Sequence, residues 1–125
     1  MKKIIIVLLV AFLLVGCSSK YEGRKVRVFT PSYTKNDEIN SIIEGGDYTI
    51  VDVRTKEEYE ESHVKEAINI PYDEIDEKTK LDKSKKIMVY CKSGTRSGKA
   101  YNTLISLGYD AYDMGAFSDL QLEKE

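Results

Sequence analysis

The chain has 125 residues, which is enough for one small domain with a single hydrophobic core. Its 19 basic and 21 acidic residues give a net charge of −2, with no long block of one sign. This balance excludes a basic nucleic-acid-binding surface, so the nine tyrosines are interpreted as packing residues. One histidine and two cysteines are too few for a typical protein metal site, and none is predicted.

The N-terminus has the organisation of a secretory signal. A basic start at residues 1–3 precedes twelve apolar residues at 4–15, fewer than the roughly twenty that span a membrane. Residues 14–17, Leu-Val-Gly-Cys, then resemble the lipobox of bacterial lipoproteins. The resemblance implies cleavage before Cys17, lipidation of that cysteine and a membrane-anchored domain outside the cytoplasm. The alternative is an uncleaved membrane anchor.

These features divide the chain into three predicted parts. Residues 1–16 are the signal peptide, residues 17–27 the lipid anchor and a polar tether, and residues 28–122 the folded domain. If Cys17 carries lipid, Cys91 is the one thiol left in an exported chain, and no intramolecular disulfide can form.

The first predicted elements are a strand at residues 26–29 and a helix after it. Residues 34–37 match the capping-box pattern Ser/Thr-x-x-Asp/Glu, which predicts a helix N-terminus at Thr34. The helix continues through Ile39, Ile42 and Ile43, and two consecutive glycines end it.

A β-branched run at residues 48–53 predicts a core strand with charged residues, Asp52 and Arg54, at its carboxyl end. Thr55 and Glu58 form a second capping box. They predict a helix of about two turns that ends near residues 62–63.

The remaining elements complete an alternating pattern. Residues 67–70 predict a short strand, residues 72–81 an irregular stretch with one helical turn, and residues 109–114 a last strand. Phe117 and Leu120 anchor a final turn to the core. Strands that alternate with helices predict an α/β fold, with a mainly parallel sheet of about five strands and helices on both faces.

The strongest chemical signal lies at residues 86–100. An apolar run at 87–90 predicts a buried strand that delivers Cys91 into a loop of small and polar residues. The helix that follows carries Ala100, Leu104 and Leu107 on one face and stops at a glycine.

Such a loop favours a reactive Cys91. Convergent loop amides, the positive end of the helix, and the charges of Lys92, Arg96 and Lys99 all favour the nucleophilic thiolate. The alternative is a buried structural cysteine, but the polar neighbours do not make an apolar pocket. Because ligands bind beyond the carboxyl ends of parallel strands, Arg54 and Cys91 are expected to share a site.

Four stretches together resemble the single-domain rhodanese family of sulfurtransferases. Residues 51–54 match its D-x-R strand end, 58–71 its E-F/Y…GHIPGAINIP segment, 89–97 its active-site loop and 108–115 its closing strand. Two departures stand out. Residues 62–67 read Ser-His-Val-Lys-Glu-Ala where the family has G-H-I-P-G-A, and the closing G-G-x-x-x-W lacks its tryptophan.

The resemblance implies a rhodanese-like fold and a catalytic Cys91 that takes the outer sulfur of thiosulfate or a similar anionic donor as a persulfide. A thiol or cyanide acceptor then removes that sulfur, and no metal or organic cofactor is needed. Lys92 and Arg96 would attract the donor. The loop residues whose amides would cradle the persulfide are Lys92, Ser93, Gly94, Thr95, Arg96 and Ser97.

Supporting residues carry open alternatives. Asp52 is predicted to fix the loop by accepting backbone hydrogen bonds or by pairing with Arg54. Arg54 either reaches the donor anion or pairs with Glu58 or a neighbour, and Arg96 can hold the loop as well as touch substrate. His63 is interpreted as structural, since an ionised thiolate needs no general base.

Two other functions compete. Cysteine-loop phosphatases and arsenate reductases have a loop similar to C-x5-R, but only four residues separate Cys91 from Arg96 here, which favours a cradle for one sulfur atom over one for a tetrahedral oxyanion. A non-catalytic rhodanese-like binding module is the other alternative, and retention of Cys91 argues against it.

Overall fold

The computed structural model describes residues 33–125. The helices and strands, in chain order, are α1 (Asn36–Gly45), β1 (Tyr48–Asp52), α2 (Lys56–Glu61), β2 (Ile68–Asn69), β3 (Lys86–Cys91), α3 (Thr95–Ser106) and β4 (Ala111–Ala116), with single 3-10 turns at Tyr72–Glu74 and Phe117–Asp119. The predicted signal peptide, the lipid-bearing Cys17, the tether and the strand at 26–29 lie outside the described residues.

The four strands of the described residues form one sheet in the order β2-β1-β3-β4, and every neighbouring pair is parallel. Val51 of β1 pairs with Ile68 on one side and Val89 on the other. The predicted parallel α/β fold is confirmed. The described part holds four strands where about five were expected, and the strand predicted at 26–29 falls outside it.

Strand β3 lies between β1 and β4 in the sheet, and its residues from Ile87 to Cys91 are all buried. Alternation along the strand sends Ile87, Val89 and Cys91 to one face and Met88 and Tyr90 to the other. A parallel strand buried on both faces needs apolar residues throughout, which explains the continuous run in the sequence.

Helices cover both faces of the sheet, as predicted. On the Cys91 face, Ala100 and Leu104 of α3 are buried in the same cluster as Val89. On the opposite face, Ile39 and Ile42 of α1 pack in the cluster that contains Met88 and Tyr90. The catalytic cysteine expected from the sequence therefore lies on the α3 side.

Of the two predicted capping boxes, one is confirmed and the other is wrong. In α2, Thr55 Oγ1 accepts from the Glu58 amide at 3.2 Å and the Thr55 amide donates to Glu58 Oε1 at 3.3 Å, so this box is confirmed. The box at Thr34 is wrong, because α1 begins after Lys35 without a side-chain cap. The Thr34 amide instead donates to the Asp113 carbonyl at 2.8 Å, which ties this residue to the sheet.

The chain end pairs with the segment before β2. Val64 and Lys124 form an antiparallel bridge, and the backbones of His63 and Glu125 exchange two hydrogen bonds. Backbone pairing thus continues to Glu125, past the predicted domain end at residue 122.

In the turn before β2, a residue that is not glycine adopts the left-handed backbone conformation. Glu66 has φ 71°, and the Ala67 amide closes the turn on the Val64 carbonyl at 3.0 Å. This is the position at which the resembling family has its second glycine. A non-glycine residue in the left-handed region costs roughly 1–2 kcal/mol.

Replacing Glu66 by glycine is expected to raise the free energy of unfolding by about 0.5–1 kcal/mol, because relief of the left-handed strain exceeds the added entropy of the unfolded chain. Urea unfolding of the variant measures this change. Glu66→Gln is the matched control, since it keeps the strained backbone and leaves the stability near that of the parent. A glycine variant less stable than the glutamine variant would contradict the prediction.

Candidate active site

Cys91 ends β3 with no exposed surface. The Gly94 amide donates a hydrogen bond to its Sγ at 2.9 Å, and Ser97 Oγ lies 3.5 Å from the same sulfur. Ser97 Oγ in turn donates to the Gly94 carbonyl at 3.0 Å. The loop therefore folds back on the sulfur, which has polar groups on the loop side and apolar core on the other.

The turn depends on Gly94, whose φ is 96°. Gly94 is the N-cap of α3, so the turn also aims the positive end of a twelve-residue helix towards the cysteine. The predicted sequence of strand, cysteine loop and helix is thus confirmed. Sequence analysis placed the sulfur within reach of substrate, whereas the structure places it fully buried.

Tyr33 covers this turn, and sequence analysis missed it. A Cβ on Gly94 would overlap the Tyr33 hydroxyl, and a Cβ on Gly115, which has φ 82°, would lie 3.0 Å from the same ring. A bulge in β4 brings Gly115 to this position. The sequence feature connected with this contact is the pair Gly94 and Gly115. At both positions the backbone is in the left-handed conformation, and the flat Tyr33 ring leaves no room for a side chain.

Asp52 and Arg54 form a buried network beneath the loop. Asp52 accepts from Arg54 Nη2 at 2.6 Å, from the Arg54 amide at 2.9 Å and from the Tyr90 hydroxyl at 2.9 Å. The Tyr90 hydroxyl accepts from the Val64 amide at 3.0 Å, and burial together with Asp52 raises the pKa of Tyr90. Arg54 Nη2 also donates to the Ser62 carbonyl at 2.6 Å. The predicted pairing of Asp52 with Arg54 is confirmed.

Arg96 is held by Glu58 rather than left free. Its two terminal nitrogens donate to the two oxygens of Glu58 at 2.6 and 3.0 Å. Hydrogen bonds from Arg96 lower the pKa of Glu58 to about 2. The alternative that paired Arg54 with Glu58 is therefore wrong, because Asp52 already occupies Arg54. A bidentate pair of this kind fixes the first turn of α3 to α2.

Asp113 is a second residue that sequence analysis missed. Burial raises the pKa of its carboxyl group, while hydrogen bonds from the Ser97 side chain and from the Gly115 amide, at 2.9 Å, oppose that shift. Asp113 thus links Ser97 of α3 to β4. No local pattern marks Asp113 in the sequence, since it follows a tyrosine in an ordinary strand.

A cavity of about 380 Å³ lies at the carboxyl edge of the sheet. Arg54, Glu58, Glu61, Lys92 and Phe117 line it, whereas Cys91 does not. Of the cysteine loop only Lys92 reaches this cavity, so a site shared by Arg54 and Cys91 stays a prediction. The other predicted loop residues, Ser93 and Thr95, are exposed on the loop.

His63 lies in contacts that suit its structural interpretation. Its ring stacks on Tyr59 with 3.9 Å between centroids, and Nδ1 is 2.8 Å from the Tyr59 carbonyl oxygen. Nε2 is 3.3 Å from a carboxylate oxygen of Glu125. His63 thereby joins α2 to the end of the chain.

Two features are absent from residues 33–125. No group of three histidine, cysteine, aspartate or glutamate side chains is arranged to hold a metal ion there. In the same residues no helix is both long enough and apolar enough to cross a bilayer.

Comparison with known proteins gives a consistent match. The family model for the Rhodanese-like domain matches residues 35–119. The thiosulfate sulfurtransferase PspE of Escherichia coli is 37% identical over 78 residues, which cover 59% of this chain and 75% of that protein. The solved structure "rhodanese with anions from E. coli" aligns with TM-score 0.56 and 33% identity, over 62% of this chain and 96% of that one.

The family domain also occurs in longer proteins. The tRNA uridine(34) hydroxylase of Hamiltonella defensa is 35% identical over 99 residues, which cover 70% of this chain. The present chain spans only 28% of that hydroxylase.

The pair of Glu58 and Arg96 predicts how stability changes in acid. Unfolded Glu58 takes up a proton as the pH falls below about 4.5, whereas folded Glu58 stays ionised until about pH 2, so the pair's contribution is full above pH 4.5 and is lost towards pH 2. Glu58→Gln is expected to reduce the fall in unfolding free energy over this range by about 1 kcal/mol or less, because water screens a partly exposed pair. Denaturant unfolding at a series of pH values measures it.

Glu57 offers a matched control on the same helix. It is exposed and joins no ion pair within residues 33–125. Glu57→Gln should therefore keep the parent pH profile. An equal flattening in both variants would show that general charge, rather than the contact with Arg96, causes the effect.

Proposed function

The chain belongs to the rhodanese-like domain family, and on that premise we propose that it is a sulfurtransferase that moves a sulfane sulfur through a Cys91 persulfide. Thiosulfate or a similar small anion is the donor, and a thiol or cyanide is the acceptor. The observation that supports this most directly is the hydrogen bond from the Gly94 amide to Cys91 Sγ, 2.9 Å long, in a loop that opens a helix.

In the first half-reaction, the Cys91 thiolate attacks the outer sulfur of the donor. A new sulfur–sulfur bond forms at Cys91, and the sulfur–sulfur bond of thiosulfate breaks, so that sulfite leaves with the electron pair. The Gly94 amide and the N-terminus of α3 are fixed dipoles that stabilise negative charge at this point without rearrangement.

In the second half-reaction, the acceptor thiolate or cyanide attacks the outer sulfur of the persulfide. The bond to Cys91 breaks, and the cysteine leaves as the thiolate that began the cycle. Lys92 is exposed beside the cysteine and is the cation available to draw in the donor, since Arg96 is occupied by Glu58.

The complete burial of Cys91 favours one competing function, a non-catalytic binding module. The hydrogen bonds at the sulfur weigh against it, because a structural cysteine in a core needs no amide donor. Activity of the purified protein decides between the two.

The proposed enzyme should form thiocyanate from thiosulfate and cyanide, and Cys91→Ala should remove at least 99% of that rate, since the nucleophile is lost. Mass spectrometry after thiosulfate treatment should show a gain of about 32 Da, one sulfur atom, on the parent. Cys17→Ala, which removes the other cysteine, is the matched control and should keep both properties. Equal thiocyanate rates for parent and Cys91→Ala would exclude the mechanism.

We also propose that the protein is an exported lipoprotein, anchored to a membrane through lipid on Cys17. The proposal is supported by the basic, apolar and lipobox-like segments at residues 1–17. Several acyl chains, at about 0.8 kcal/mol per buried methylene, would make the attachment stable.

Growth with labelled palmitate should place label on the parent chain and none on Cys17→Ala. Cys91→Ala serves as the control for loss of a cysteine and should be labelled like the parent. Label of equal intensity on Cys17→Ala would refute lipid attachment at this residue.

A further inference from the structure

The Tyr33 ring bridges two elements at the carboxyl edge of the sheet. Its hydroxyl end lies against Gly94 of the cysteine loop, and the opposite end of the ring lies against Gly115 of β4. A Cβ on Gly115 would lie 3.0 Å from Cδ1 and 3.2 Å from Cγ of the tyrosine. Both glycines are buried, although Tyr33 itself is 42% exposed. The ring therefore covers the two glycines and is itself reached by solvent.

The backbone beside Tyr33 is fixed to β4. The Thr34 amide donates to the Asp113 carbonyl at 2.8 Å, and the Asp113 carboxylate accepts from the Gly115 amide at 2.9 Å. Gly115 pairs with Tyr90 of β3 directly after the register shift between these two strands. The base of the Tyr33 ring thus rests on hydrogen-bonded sheet, whereas its hydroxyl end rests on the loop.

The loop under the hydroxyl end has little packing on its solvent side. Lys92, Ser93 and Thr95 are all exposed, and exposed segments with few contacts are the ones that open locally. Glycine also has more backbone freedom than any other residue. The three atoms nearest to a Cβ on Gly94 all belong to Tyr33, so this ring is the group that restrains the turn from outside.

We propose that Tyr33 is a positioning residue, which holds the Gly94 amide on the Cys91 sulfur during sulfur transfer. The inference rests on the proposed sulfurtransferase function. The amide donates to Sγ at 2.9 Å in a turn that depends on the left-handed conformation of Gly94. Tyr33 acts through that turn and takes no part in the bonds that form and break.

The two half-reactions depend on this amide to different extents. In the second, Cys91 is the leaving group, so negative charge develops on Sγ in the transition state, where a fixed donor stabilises it. In the first, Cys91 is the nucleophile, and the donor stabilises the thiolate before attack more than in the transition state. The same donor favours ionisation of the thiol, so two effects oppose each other in the first step. Loss of Tyr33 should therefore slow the second step more than the first.

Single-turnover rates of Tyr33→Ala test this difference, with the full chain in detergent. Release of thiocyanate from the preformed persulfide and cyanide should slow about tenfold, since removal of a whole oxyanion donor costs roughly 10²–10³ in rate and here the amide is only loosened. Formation of the persulfide from thiosulfate should slow by less than about threefold, because the two effects of the donor oppose each other. Tyr33→Phe keeps the ring and should keep both rates within about twofold of the parent.

Ile105→Ala is the matched control for loss of a half-exposed apolar side chain. Ile105 lies on α3, the helix that the cysteine loop opens, and is 46% exposed. Both rates of this variant should stay near those of the parent. Tyr33→Ala rates at or above the parent, equal slowing of its two steps, or the same slowing in Ile105→Ala would each overturn the inference.

Amide hydrogen exchange, measured by NMR, tests the restraint without any sulfur transfer. In Tyr33→Ala the Gly94 amide should exchange at least about tenfold faster, because the turn opens more often. The Ile87 amide, which donates to the Asp110 carbonyl at 2.8 Å at the opposite end of β3, should keep its parent rate. Unchanged exchange at Gly94 would refute the restraint, even in an active enzyme. Absence of a persulfide on the parent would refute the proposed function, and exchange at Gly94 would then decide by itself whether Tyr33 holds the turn.

Discussion

The site depends on the hydrogen bond that the Gly94 amide donates to the Cys91 sulfur. That bond requires the backbone to reverse within three residues, which it does through the left-handed conformation of Gly94. The same reversal starts α3 and brings Ser97 Oγ within 3.5 Å of the sulfur. Because the Tyr33 ring lies directly on the glycine, a side chain there would meet both backbone strain and that ring. One glycine thus sets the turn, the helix start and the polar surroundings of the Cys91 sulfur.

The charged residues around this turn fall into two groups, those held in ion pairs and those left unpaired. Asp52 and Arg54 are buried together below the loop, and Glu58 holds Arg96 from the neighbouring helix. Removing one member of a buried pair costs about 3–5 kcal/mol, because the other charge is left without a partner in a medium that does not solvate it. The buried pair of Asp52 and Arg54 is therefore the rigid part of this frame, and in the proposed mechanism ligand attraction is left to unpaired side chains such as Lys92.

Local patterns in the sequence were sufficient to predict the helices and strands. They were not sufficient to predict the contacts between these elements. The apolar run of β3 and the reciprocal cap of Thr55 and Glu58 depend on neighbours in the chain, and both were predicted correctly. Thr34 has an equally good capping pattern, yet its amide is taken by a carbonyl of β4, and a tertiary contact overrides the local preference. Tyr33 acts on the loop only after folding brings together segments far apart in the chain, so no periodicity in the sequence marks it.

Burial of the nucleophile and sulfur chemistry are compatible because the loop is not uniformly buried. Gly94 and Ser97, which contact the sulfur, are buried, whereas Lys92, Ser93 and Thr95 are exposed. The groups that stabilise charge are therefore fixed, and the groups that must move to admit a donor are those with little packing to lose. A thiolate outside the cytoplasm, where we propose this chain resides, is open to oxidation in proportion to its exposure. In the proposed enzyme, a sulfur that is buried at rest and is reached only when exposed polar side chains move limits that loss.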